Sequence, residues 1–264
     1  PQDQWVTHDL ALDYSVYTET LDNGLTFILK ESHASPVEAM QAWIRFGSMH
    51  EEEYLGAGIA HYIEHMIFKG TERRGVGDFD RDIRGSGGDL NAYTTFDRTV
   101  LHMTVSGRYV DTAVDAMADV LMNSAFAPEE AVKEKDVIVR ELQMGLDDPG
   151  DKLFNLFSSA MWPTHPRGMP IIGYLNRFLT IDREDLVKTY DRYYAPNNVA
   201  VIMVGDFSLE TMVPLLRESF SDWERGPMLT PRVPADDIPV GTTFIEDTHE
   251  NAQFTRVMIG WPTC

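Results

Sequence analysis

Two histidines four residues apart enclose a glutamate in the run His61-Tyr62-Ile63-Glu64-His65. On a helix, side chains at i and i+4 rise from one face with their Cβ atoms about 5–6 Å apart, so both imidazoles can reach a single metal ion. Glu64 shares that face. A carboxylate beside a metal-bound water can take its proton and later deliver it to a leaving amine, and the run therefore reads as a hydrolytic zinc site. A catalytic zinc usually takes three protein ligands and keeps a fourth position for water, which calls for a ligand from elsewhere in the chain. Glu141, 76 positions after His65, is the candidate, and Glu134 stands seven residues before it, two turns back on the same helical face. One of these carboxylates could bind metal while the other orients a histidine. The competing reading makes both part of a solvated face with Lys133, Lys135 and Arg140.

The 264 residues are 43% hydrophobic and 24% charged, enough for a sizeable core in one large or two small domains. Acidic residues outnumber basic ones 42 to 22, a formal charge of −20. That balance disfavours nucleic acid and anionic lipid as partners and fits a basic partner or substrate better, unless the excess only solubilises the surface. A single cysteine, Cys264, rules out an intrachain disulfide and a cysteine-rich metal site. The compartment stays open, with bacterial cytoplasm, periplasm and an organelle equally compatible. No apolar run approaches the ~18 residues of a membrane span.

Around the motif, residues 55–68 carry helical periodicity with Gly70 as a stop. Residues 25–29 and 39–46 read as a hairpin-like pair of strands, the first preceded by an Asp22-Asn23-Gly24 turn. Residues 70–90 are rich in glycine and charge and read as a loop leading into a strand at Asn91. A strand over 100–105 and an amphipathic helix over 109–123 follow. Pro128 then opens a helix with Glu129 and Glu130 in its first turn, running toward Gly145. Helices near 153–161, 183–193 and 209–220 surround a central strand at 199–204. Four prolines between 226 and 240 mark a linker, with strand-like runs at 242–246 and 253–260 beyond it. His102 could approach the site from its strand, although a strand histidine is more often structural. His8, His33, His50 and His249 stand outside any ligand spacing.

Taken together these residues resemble the M16 metallopeptidases, the group of pitrilysin, insulin-degrading enzyme and mitochondrial processing peptidase. The resemblance is carried by His61 to His65 with Glu141 downstream, an inverted zinc motif. It extends to Phe46-Gly47-Ser48, Gly87 to Thr94, Asp97-Arg98-Thr99-Val100, His165-Pro166, Pro170 to Gly173, Tyr193 to Asn198 and Val204-Gly205-Asp206. It implies an α+β fold, a mostly antiparallel sheet with helices packed on one face. It also implies one zinc per chain on His61, His65 and Glu141, with Glu64 as general base and Glu134 holding a ligand from behind. Asn91, Ala92 and Tyr93 match the edge segment along which family members bind an extended peptide. Residues 1–226 would form the zinc-binding peptidase domain, 227–240 the linker, and 241–264 the incomplete start of a second homologous domain. In the family that second half supplies an Arg and a Tyr to the substrate, and here it would be covalent or a separate subunit.

The expected function is hydrolysis of short or unfolded peptides, basic ones preferred, with full activity requiring the second half. The alternative is a non-catalytic subunit of the same type, serving assembly or peptide binding. Such relatives usually have a degraded metal motif, whereas all five residues are intact here. A module using zinc only for stability is the third reading, and it would have no need of Glu64.

Overall fold

The computed structural model describes residues 15–229, 233–234 and 241–261, and the backbone of 4–6. Seven strands form one sheet: β1 (Gln4–Val6), β2 (Val16–Thr20), β3 (Thr26–Glu31), β4 (Val37–Ile44), β5 (Asp89–Thr94), β6 (Thr99–Ser106) and β7 (Val199–Gly205), in the order β1-β2-β3-β7-β4-β6-β5. Every neighbouring pair is antiparallel except β3 with β7. Residues 25–29 and 39–46 are thus not a hairpin. β7 lies between their strands, because both flank it with apolar residues in register: Leu29 faces Met203, and Met40 faces both Met203 and Met103.

Period-two alternation decides which face is covered. Phe27, Leu29, Met40, Ala42, Ile44, Leu101, Met103, Val201 and Met203 are buried on one face, while Val204 and Thr104 are exposed and Gln41, Trp43, His102 and Ile202 half-exposed on the other. The helices occupy the buried face: α1 (Ile59–Ile67), α2 (Asp78–Arg84), α3 (Val110–Asn123), α4 (Pro128–Asp147), α5 (Pro149–Met161), α6 (Leu175–Phe178), α7 (Arg183–Tyr193) and α8 (Leu209–Ser219). The molecule is an α+β fold with a mostly antiparallel sheet. Met66 and Met117 are core residues, as helix periodicity predicts.

Three expectations are corrected. The helix expected over 55–68 starts at Ile59, since Gly56 and Gly58 take left-handed φ of 73° and 75°. The stretch 70–90 is not all loop: α2 forms within it, anchored by fully buried Phe79 and Ile83. No strand forms at 242–246 or 253–260, where the chain runs along α4 and α5 through an ion pair of Lys152 with Asp247 (2.8 Å) and a bond from Asn251 to the Asp147 carbonyl (3.1 Å). The proline-rich stretch 227–240 lies largely outside the described residues, as does Cys264.

Candidate metal centre

α1 is a short helix with most of its surface in the core. Ile59, Ala60, Tyr62, Ile63, Met66 and Ile67 are buried, each large apolar side chain contributing about 2 kcal/mol. His61, Glu64 and His65 are left on the remaining stripe. The helix has no hydroxyl or Asx cap of its own. Its first N–H groups instead meet the buried Glu51, whose carboxylate accepts from Gly58 (3.2 Å) and Ala60 (3.1 Å). An anion at this end is favoured by the helix dipole. Burial nonetheless pushes the Glu51 pKa up to about 8, against the backbone bonds that favour the charged form.

The partner helix, α4, starts with Pro128 at its first turn and buries the stripe Ala131, Glu134, Ile138 and Leu142 against the core. Tyr62 crosses between the two helices and donates to the Ala131 carbonyl at 2.5 Å. This juxtaposition brings three ligand groups together. His61 Nε2 is 3.9 Å from Glu141 Oε1, and His65 Nε2 is 3.4 Å from Glu141 Oε2. One ligand atom from each of His61, His65 and Glu141 lies within 4.8 Å of the other two, the one such group among the described residues. Two imidazole nitrogens and a carboxylate oxygen are a donor set that zinc accepts. Glu141 is half exposed, leaving an open side for water or substrate.

The surrounding groups divide the work. His65 Nδ1 bonds Glu134 at 2.9 Å, and Glu134 is gripped from the other side by Lys69 at 2.7 Å. Burial works against the Glu134 anion, but His65 and Lys69 outweigh it and hold the carboxyl below its usual range. Glu134 is therefore not on a solvated face. Burial likewise opposes charge on His65, and the Glu134 bond reverses the balance and raises its pKa. His61 lies deeper, and burial followed by the His65 charge lowers its pKa to about 3, leaving a neutral imidazole with a lone pair for metal. Glu64 accepts from Thr94 Oγ1 at 2.7 Å. Burial raises the Glu64 pKa, more than that bond lowers it, the direction that suits a proton acceptor working near neutrality.

β5 is the edge strand beside α1. Ala92 and Thr94 stand on its helix-facing side, in register with Leu101 and Thr99, while Asn91 and Tyr93 face the open side opposite His102 and Val100. His102 belongs to that open face, 6.2 Å from the Tyr93 ring, and not to the metal group. Four supporting residues escaped the sequence reading: Glu51, Tyr62, Lys69 and Thr94. Only Thr94 had a signal, its place directly after Tyr93 in the edge segment.

Comparison with known proteins identifies the family of the chain. Residues 26–174 match the model of the insulinase peptidase family M16, and residues 180–264 that of the M16 inactive domain. The chain is 33% identical over 210 residues to an uncharacterized zinc protease of Mycobacterium leprae, covering 80% of this chain and 47% of that protein. It is 31% identical over 246 residues to an Arabidopsis thaliana protein described as "Probable mitochondrial-processing peptidase subunit beta", covering 91% of this chain and 46% of that protein. A solved protease structure from Helicobacter pylori superposes with a TM-score of 0.77 at 25% identity, over 84% of this chain and 54% of that one.

The fold is that of M16-like peptidases, and it brings together His61, His65 and Glu141, a group that could hold a metal ion. The chain belongs to peptidase family M16, whose cofactor is zinc, and spans about half the length of the curated relatives it matches.

Proposed function

We propose that this chain is the metal-bearing half of a zinc endopeptidase acting on extended or unfolded peptides. The observation that carries the reading is the convergence of His61, His65 and Glu141 with Glu64, whose carboxylate is bonded to Thr94 on the edge strand β5. His61, His65 and Glu141 would hold zinc, and Glu134 would fix His65 from behind. Zinc in this position would supply a polarised scissile carbonyl and an acidified water. Glu64 takes the proton from the attacking water at its carboxylate and passes it to the departing amine. Thr94 orients that carboxylate. The backbone of Asn91, Ala92 and Tyr93 offers a docking strand that selects extended chains with little regard to sequence, and the −20 charge favours basic peptides. Residues from 241 onward would lead into a second homologous domain, and that half, covalent or separate, would contribute Arg and Tyr side chains around the substrate.

Metal analysis is the first test. One zinc per purified chain, largely lost in Glu141→Gln, supports the three-ligand site. Zinc retained in full by the variant removes Glu141 as a ligand. In the enzyme completed by its second half, Glu64→Gln should keep its zinc and lose cleavage. Full activity in that variant eliminates Glu64 as the base, and a zinc-loaded, complete but inactive wild type favours a non-catalytic subunit.

A further inference from the structure

The hydrogen-bond phase of β5 shows how much of its edge is open. Thr95 N–H donates to the Arg98 carbonyl at 2.8 Å, which makes 95 and 98 a hydrogen-bonded pair at the hairpin end. Alternation along an antiparallel ladder then turns the backbone groups of 94, 92 and 90 outward. Their outward partners agree with this phase. The Thr94 N–H lies toward Glu64, which the Thr94 hydroxyl bonds at 2.7 Å, Ala92 N–H is held by the neighbouring Asn91 Oδ1 at 2.9 Å, and the Leu90 carbonyl accepts from Arg84 Nη2 at 3.0 Å. The Ala92 carbonyl meets no donor outside the ladder among the described residues.

Arg84 is not a loosely swinging side chain. It leaves the last turn of α2, and its Nε bonds Asp80 at 2.7 Å while Nη1 lies 3.3 Å from Asp89. Two carboxylates thereby fix the guanidinium in the lane that an added strand would occupy, since strands pair about 4.8 Å apart and the guanidinium already sits at hydrogen-bond distance from Leu90.

We infer that Arg84 is a specificity-determining residue that ends the peptide lane, limiting strand pairing to the Ala92–Thr94 stretch beside Glu64. The inference rests on the edge-docking reading of Proposed function. A bound peptide displaces the Asn91 side chain from Ala92 N–H, pairs there, and must leave the sheet edge at Arg84. Residues added beyond that point gain no backbone bond. Arg84 touches no reacting atom and acts only on how much of the peptide is held.

The test is binding of fluorescently labelled peptides to the enzyme completed by its second half and carrying Glu64→Gln, with or without Arg84→Met, read by anisotropy. Two peptide series are lengthened one residue at a time, one at each end. Affinity should climb with length to a plateau, and Arg84→Met should move the plateau by about two residues in one series, with longest peptides bound roughly three- to tenfold tighter. Arg84→Ala should give the same shift, because the side chain is half exposed and leaves no core cavity. A length-dependent affinity whose plateau is unmoved in both variants overturns the role of Arg84 and leaves edge docking in place. No binding, or affinity independent of length in every protein, removes edge docking and the inference with it.

Discussion

His61 and His65 face the same site but are supported unequally. His65 has its second nitrogen on Glu134, whereas His61 Nδ1 is buried without a hydrogen-bond partner among the described residues. Orientation of the ligand pair therefore depends on the His65–Glu134–Lys69 chain. Glu134→Gln keeps the side-chain shape but weakens the grip on both His65 and Lys69. It should lower zinc affinity roughly ten- to a hundredfold, measured by competition with a chromophoric chelator; unchanged affinity would reduce Glu134 to a packing residue. At this scale the shared faces of His61 with His65 and of Glu134 with Glu141 were legible, because i,i+4 and i,i+7 spacing on a helix fixes which side chains stand together; the choice of Glu141 as the proposed ligand came from the family resemblance. The roles of Tyr62 and Lys69 were not legible, because each finds its partner on a helix some 65 or more positions away.

The start of α1 is set by two glycines packed against each other. Gly58 has φ of 75°, and a Cβ there would lie 2.2 Å from the Ile172 carbonyl oxygen; Gly173, at φ 82°, would bring a Cβ within 2.5 Å of the Ala57 backbone. Backbone contact of this kind holds the helix start against the 170–173 loop, and Glu51 fixes it from the other side. Gly58→Ala should cost at least about 2 kcal/mol and lower Tm by roughly 5 °C or more. Gly77→Ala is the matched control, with a φ of 85° and nothing within 4 Å of its Cβ. Equal losses in the two variants would mean that strain alone, and not the close approach, is responsible. Periodicity made α1 visible in the sequence but set its start four residues early at Leu55, since the left-handed turns at Gly56 and Gly58 interrupt an apolar pattern that otherwise continues. α2 was hidden for the opposite reason: its charged composition resembles a loop, and only Phe79 and Ile83 commit it to the core.

For the molecule as a whole, the acidic excess meets one costly arrangement. Glu38, on the covered face of β4, is 1% exposed, and neither of its oxygens has a hydrogen-bond partner among the described residues. Burial, then Asp206 and Asp111, raise its pKa from 4.5 to about 7. In the unfolded chain the group ionises near the lower value, so between the two the folded protein holds the extra proton. Stability therefore falls as pH rises through this window and stays reduced above it, by up to about 3 kcal/mol from this group. Glu38→Met should be more stable than wild type at pH 8 by about 1–3 kcal/mol and should gain clearly less at pH 5, as read by urea unfolding. A gain independent of pH would assign the effect to packing.

Helices and strands could be read from their apolar periods, yet strand order could not, because a run of residues does not record which neighbour it pairs with. The position of β7 also governs how the protein can be made. Residues 199–205 fill the gap between β3 and β4, whose own sequences end and begin six residues apart. During synthesis the ribosome delivers β3, β4, the motif helix, the edge strand and both carboxylates of α4 well before the strand that joins the two parts of the sheet. At ~5–20 residues per second the wait from Glu141 to the end of β7 lasts on the order of 3–13 s, with two apolar edges unpaired. A nascent chain can thus carry every proposed metal ligand while lacking the middle of its sheet, and zinc acquired at that stage would meet a site whose scaffold is still open.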